Sequence, residues 1–147
     1  MSEHNRPTAR LLAVVVVAGS VAVLATGCSF VQRQTGDAWA VTYEVQVDAP
    51  TGSALSDVRV EGAEQRGDAP EVHRLGTQDT DAADGDGSRW QHDVIVLAEQ
   101  RASVRAAPPE GATATCRILL DGKREIATET ATAGEPVTCS ADTPAFD

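Results

Sequence analysis

Three cysteines carry most of the chemistry open to this chain: Cys28, Cys116 and Cys139. The last two lie in runs where apolar residues alternate. Cys116 shares a parity with Ile118, and Val137 with Cys139. Period-two alternation marks a half-buried strand, so both thiols face the apolar side. They either close a disulfide or stay as two buried thiols; the disulfide is expected in an oxidising compartment. The other reactive side chains form no set. His4, His73 and His92 stand apart, with no cysteine or second histidine at metal-ligand spacing. His92 shares a parity with Val94, as a structural histidine beside the core would. Asp79, Asp81, Asp84 and Asp86 invite a calcium reading. A loop starting at Asp79, however, has Ala83 at position 5, where an oxygen ligand is needed, and Asp84 at position 6, where glycine is needed. No nucleophile elbow, phosphate loop or zinc-protease motif is present. These residues imply a binding or accessory protein rather than an enzyme. No catalytic residue, metal or cofactor is expected, and no ligand-binding residue stands out.

The N-terminus sets the compartment. Arg6 and Arg10 precede an apolar run from Leu11 to Leu24, the pattern of an export signal. The run is shorter than the roughly 20 residues a spanning helix needs. It ends in Leu24-Ala25-Thr26-Gly27-Cys28, whose small residues before a cysteine resemble the lipobox of bacterial lipoproteins. That resemblance implies cleavage before Cys28 and lipidation of Cys28, so that residues 1–27 are a lipoprotein signal peptide. Ala25 stands where a lipobox usually has leucine; the alternative is an uncleaved anchor, helical from about Leu11 to Gly27. Either reading tethers the remainder to the extracytoplasmic face of the plasma membrane. With Cys28 lipidated, the odd cysteine is accounted for and two are left to pair.

The full chain has a net charge of −10. Removing residues 1–27 takes away two arginines and one glutamate, leaving 10 basic and 21 acidic residues and a net charge of −11. Nucleic acid and anionic headgroups are therefore not expected as partners by charge. Residues 28–37 form a short polar tether. Nine residues, Ser29 to Asp37, reach about 30 Å when extended, which keeps the domain close to the bilayer.

The domain, residues 38–147, reads as strands throughout. Trp39, Val41, Tyr43, Val45 and Val47 alternate with Ala40, Thr42, Glu44 and Gln46, and need a covering layer. Asp48 to Ser53 reads as a turn. A second strand runs from Ser56 to Glu61, and a short edge strand from Glu71 to Leu75. Thr77 to Ser88 reads as a solvated, mobile loop. Arg89 to Ala98 is a strand whose Val94-Ile95-Val96-Leu97 is apolar on both parities, as a central strand would be. Ala102, Val104 and Ala106 share the next strand, stopped by Pro108-Pro109. Asp121-Gly122 signals a hairpin. A three-residue loop from Leu120 to Gly122, with Gly122 left-handed, puts Cys116, Ile118 and Ile126 on one face. The tail after Asp142 is expected to fray. Seven or eight short strands in about 110 residues match an all-β fold, an immunoglobulin-like β-sandwich following the N-terminal signal helix. A small closed barrel is the competitor.

Three pieces occur in order: Val41-Thr42-Tyr43-Glu44-Val45, the Trp90-to-Val96 strand, and Cys116-Arg117-Ile118-Leu119-Leu120-Asp121-Gly122 followed by Val137-Thr138-Cys139-Ser140. Together they resemble the mycobacterial membrane protein small (MmpS) family and its actinobacterial relatives, over roughly Trp39 to Ala141. The resemblance implies a small extracytoplasmic β-sandwich with its cysteine pair at Cys116 and Cys139. It also implies an accessory role to a large RND-type, MmpL-like membrane transporter exporting lipids or siderophores. The chain departs from the family in having a lipobox at Cys28 in place of a membrane helix, and in its Asp-rich segment from Thr77 to Ser88. The reading outside that family is a stand-alone lipoprotein that binds a small molecule or an envelope polymer.

Intact mass of the membrane-extracted protein tests the tether. The expected chain begins at Cys28 and carries added acyl mass, because two chains hold a domain on a bilayer where one does not. Cys28→Ala should release the domain or leave unprocessed precursor. A native chain that starts before Cys28 without lipid rules the lipoprotein out.

Overall fold

The alternation around Tyr43 builds the central strand of the molecule, β1 (Ala38–Val47). Val41, Tyr43, Val45 and Val47 point inward and are buried, as a strand covered on one face requires. A computed structural model describes residues 36–146. The signal peptide, Cys28 and the tether through residue 35 lie outside the described residues. Eight further strands follow: β2 (Ala54–Gly62), β3 (Glu71–Asp79), β4 (Asp81–Ala82), β5 (Ser88–Leu97), β6 (Arg101–Ala107), β7 (Ala114–Leu120), β8 (Arg124–Thr130) and β9 (Val137–Asp142). They form two antiparallel sheets, one in the order β4-β5-β1-β7-β8 and one in the order β3-β2-β6-β9. The fold is therefore an all-β, immunoglobulin-like sandwich of nine strands, not a closed barrel, and no helix occurs among the described residues. Valine and alanine dominate the core, with Leu55, Ile118 and Leu120 as its larger aliphatic side chains.

Tyr43 is the largest fully buried side chain and ties the sheets together. Its hydroxyl donates to the Glu61 carbonyl at 2.5 Å and accepts the Ser103 N–H at 3.0 Å. Those two residues face each other across β2 and β6 in the opposite sheet. Burial pushes the phenol's pKa well above its ordinary value, while the Ser103 N–H works in the opposite direction. A backbone bridge joins the sheets at one side: Ala63 N–H to Ile95 O at 2.9 Å, and Ile95 N–H to Ala63 O at 2.7 Å. Gly62 makes that approach feasible. Its φ is 152°, and a Cβ there would lie 2.7 Å from Val94 Cγ2.

Several elements differ from expectation. β2 starts earlier because a bulge at Asp57, φ 50°, resets the parity and lets Leu55 face the core with Val58 and Val60. β3 is the edge strand expected, but it runs on to Asp79. Thr80 is then buried and bonded to Ser53, and Asp81–Ala82 pairs with β5. Of the expected Thr77–Ser88 loop, only Thr80 and residues 83–87 lie outside strands. Its aspartates mark solvent-facing side chains, which an edge strand also has. β5 is not central: beyond Ser88 and Arg89 its outer edge has no strand partner. Ile95 and Leu97 are apolar because the segment carrying Ala63 and Pro70 packs over them. The hairpin loop has three residues with Gly122 at φ 66°, but it spans residues 121–123, one later than expected. A bulge then leaves Ile126 half-buried against the core. The tail is held, not frayed. Thr143 is buried and donates from its hydroxyl to Leu97 O at 2.6 Å, Trp39 Nε1 donates to Pro144 O at 2.8 Å, and Phe146 stacks on Trp39 at 4.1 Å.

Tyr43→Phe removes one oxygen and leaves a buried N–H and C=O without that partner. A loss of about 1–3 kcal/mol in urea unfolding is expected. The sign of the pH effect follows from the raised pKa. The stability Tyr43 contributes is fully present below its ordinary value of 10.0 and declines as pH rises above it. In Tyr43→Phe this alkaline decline should be smaller.

Candidate functional site

The outer face of the five-stranded sheet is built from cross-strand polar rows. Register places Gln91, Glu44, Arg117 and Thr128 side by side on β5, β1, β7 and β8. Glu44 is only 3% exposed although its strand face looks outward. It is covered by its neighbours. Gln91 Nε2 donates to it at 2.8 Å, Arg117 Nη1 at 3.2 Å, and Arg89 Nη1 lies 3.7 Å away. Arg117 also donates from Nε to Glu125 at 2.6 Å, and that bond, with Glu44 behind it, raises the Arg117 pKa. This is a closed network. Both oxygens of Glu44 face donors, so the buried carboxylate is satisfied and the network fixes register.

An open groove lies on the same face at the end where β1 begins. Ala40, Val94 and Ile95 form its floor, and Glu64, Asp93 and Asp121 stand around it, in about 520 Å³. The elements position these carboxylates separately. Asp93 accepts the Thr42 hydroxyl at 2.6 Å. Asp121 sits at the hairpin tip, φ 51°, and its N–H donates to Ala40 O at 2.7 Å. Glu64 follows the Ala63–Ile95 bridge. The groove can receive an apolar group flanked by cationic ones.

The two histidines among the described residues do not share a site. His73 Nε2 lies 3.0 Å from Gly62 O, with Nδ1 3.8 Å from Glu64 and 3.9 Å from Glu71. His92 is half-buried opposite Tyr43 and stacks on Trp90 at 5.8 Å, the core-side position its parity implied. Its Nε2 is buried without a partner among the described residues. No group of three or more His, Cys, Asp or Glu able to hold a metal ion occurs among the described residues.

Cys116 of β7 and Cys139 of β9 are bonded, with Cα atoms 5.9 Å apart, and join one sheet to the other. Cys28, the expected lipid site, lies outside the described residues. Sequence reading missed the Glu44 network, the groove and the arginines of the opposite face. Alternation shows which residues face outward, but not which strands lie side by side. The pieces quoted for the family resemblance meet here: Tyr43 pairs with Ile118, Glu44 with Arg117, and Val45 with Cys116. No protein-family model matches the chain, and no curated protein matches it.

The disulfide closes a loop with a sequence separation of 23. Loop-closure entropy gives it about 3 kcal/mol of stabilisation, a large share of the roughly 5–15 kcal/mol typical of a domain. Reduction should lower the melting temperature by several degrees. Mass spectrometry of unreduced, denatured protein should find neither Cys116 nor Cys139 alkylated.

Proposed function

We propose that the chain is a lipid-anchored accessory domain on the extracytoplasmic face of the plasma membrane, serving an RND-type, MmpL-like exporter of lipids or siderophores. The observation that carries this reading is the place and chemistry of the groove. It opens at the end of the sandwich where the tether from Cys28 joins β1, with three carboxylates around an apolar floor. A tether reaching about 30 Å confines that groove to a shell above the bilayer, so even weak contacts with a membrane-embedded partner suffice. The partner segment that fits is basic with an apolar residue at its centre, and the association is salt-sensitive. The cross-sheet disulfide suits an oxidising compartment. The resemblance to MmpS supplies the partner class. One observation favours the stand-alone small-molecule reading: the groove's volume lies within the range of ligand sites. Its openness on a sheet face fits a protein segment better, since small-molecule sites enclose most of their ligand.

Crosslinked pull-down from membranes with the full-length protein tests the docking. Wild type should capture a multispanning transporter at low salt. Glu64→Lys with Asp93→Lys should reduce capture by about tenfold, as two reversed charges at a rim do. Deleting the gene should lower export of the same cargo as deleting the transporter. Capture unchanged by the reversals and by salt, with export intact in the deletion, defeats the accessory reading.

A further inference from the structure

The outer face of the four-stranded sheet carries an arrangement that stability alone disfavours. Register sets Arg59 of β2 beside Arg74 of β3 on one side and Arg105 of β6 on the other, with Thr138 of β9 next in the row. Like charges directly opposite one another on adjacent strands repel. Three arginines in line are not a product of abundance in a chain of net charge −10. One carboxylate serves the row. Asp57 occupies the β2 bulge at φ 50°, a left-handed conformation uncommon for a residue other than glycine. From there it accepts Arg59 Nη2 at 2.6 Å and Nε at 2.9 Å, and lies 3.5 Å from Arg105 Nε. Those two guanidiniums hold the Asp57 carboxyl below its usual range, Arg59 having the larger effect. Arg74 has no ion-pair partner among the described residues.

Beside the row lies a cavity of about 190 Å³, lined by Arg59, Arg105, Ser103, Thr138, Glu61 and Val72 among others. Its parts ask for different things. Two guanidiniums offer forked donors that suit a phosphate or carboxylate. The hydroxyls of Ser103 and Thr138 add further donors, and Arg105 Nη1 already lies 3.4 Å from Thr138 Oγ1. Glu61 accepts only, so it repels a bare anion and favours a ligand that also brings a hydroxyl hydrogen. Val72, 56% exposed, offers a short apolar wall.

The geometry points to a binding site for a phosphorylated polyol: the phosphate displaces the Asp57 carboxylate between Arg59 and Arg105, and an adjoining hydroxyl donates to Glu61. Asp57 is thus an internal competitor that holds the two arginines in place while the site is empty. The protein's overall negative charge limits affinity without abolishing it, because charges beyond about 10 Å are screened at 0.1 M salt. The site lies on the face opposite the groove and does not depend on the accessory role. A free polyol phosphate and a polyol-phosphate unit of a longer chain share this chemistry.

Calorimetric titration of the full-length protein in detergent, with glycerol 3-phosphate and a glycerol-phosphate oligomer as probes, tests the site. Wild type should bind glycerol 3-phosphate saturably in the millimolar range, and inorganic phosphate more weakly. Asp57→Asn, which tolerates the left-handed conformation, should bind at least about threefold more tightly as the competitor is lost. Arg105→Gln should bind about tenfold more weakly. Arg74→Gln, exposed and outside the cavity, should weaken binding about twofold through the local field. Tighter binding of the oligomer than of the monomer identifies a polymer unit as the ligand, and equal affinity a free small molecule. No saturable binding by either wild type or Asp57→Asn overturns the proposal. So does weaker binding by Asp57→Asn at an unchanged melting temperature, or wild-type binding by both Arg105→Gln and Arg74→Gln.

Discussion

The sandwich depends on the Tyr43 hydroxyl. The core is mostly valine and alanine, side chains too short to specify how two sheets sit on each other. Apolar packing is non-directional; a buried hydroxyl with one donor and one acceptor partner is directional. Tyr43 starts in the middle strand of one sheet and ends between Glu61 and Ser103 of the other. Two further ties flank it. The Ala63–Ile95 bridge closes the β2–β5 side, and the Cys116–Cys139 bond closes the β7–β9 side. One tie at each side and one in the middle set the relative position of two sheets whose inner faces would otherwise slide.

Much of this was legible in the sequence, for a specific reason. β1, β6 and β9 alternate along their inward face, and Cys116 and Ile118 of β7 follow the same rule, whereas Leu120, expected in the hairpin loop, is a buried residue of that strand. Parity fails where the backbone inserts a residue. The bulge at Asp57 hid Leu55 from the second strand, and the bulge in β8 sets Ala127 rather than Ile126 opposite Ile118, although Ile126 still packs against the core. It also fails where a segment other than a strand provides the cover. Leu97 and Ile95 looked central because they are apolar, but their partner is a loop. Alternation places Glu44 on the outward parity with Thr42 and Gln46, yet it is buried. Its burial comes from Arg89, Gln91 and Arg117 on neighbouring strands, and strand adjacency is not written in any one strand.

The same limit explains why the residues of the family resemblance are not themselves a binding site. Tyr43, Glu44, Arg117 and Cys116 meet in one register, but their polar groups and sulfurs are used internally. A pattern made of such residues reports a way of pairing β1 with β7. The surfaces free to meet other molecules lie elsewhere, and they differ in sign. The groove presents Glu64, Asp93 and Asp121, whereas the opposite sheet presents Arg59, Arg74 and Arg105. A net charge describes neither surface, because each acts over a distance shorter than the width of the sandwich.

The two ends of the domain are joined to each other. Trp39 receives Phe146 on its face and donates to Pro144 O, while Thr143 is locked between Leu97 and Gln100. The start of β1 is therefore clamped by the residues that follow β9. Here the first residues of β1 are held by both an aromatic stack and a side-chain hydrogen bond. Arg66 reinforces the same point by donating to the Gly36 carbonyl. The groove lies only a few residues along β1 from that point. The groove and the arginine row therefore keep fixed positions on opposite sheets of one clamped domain.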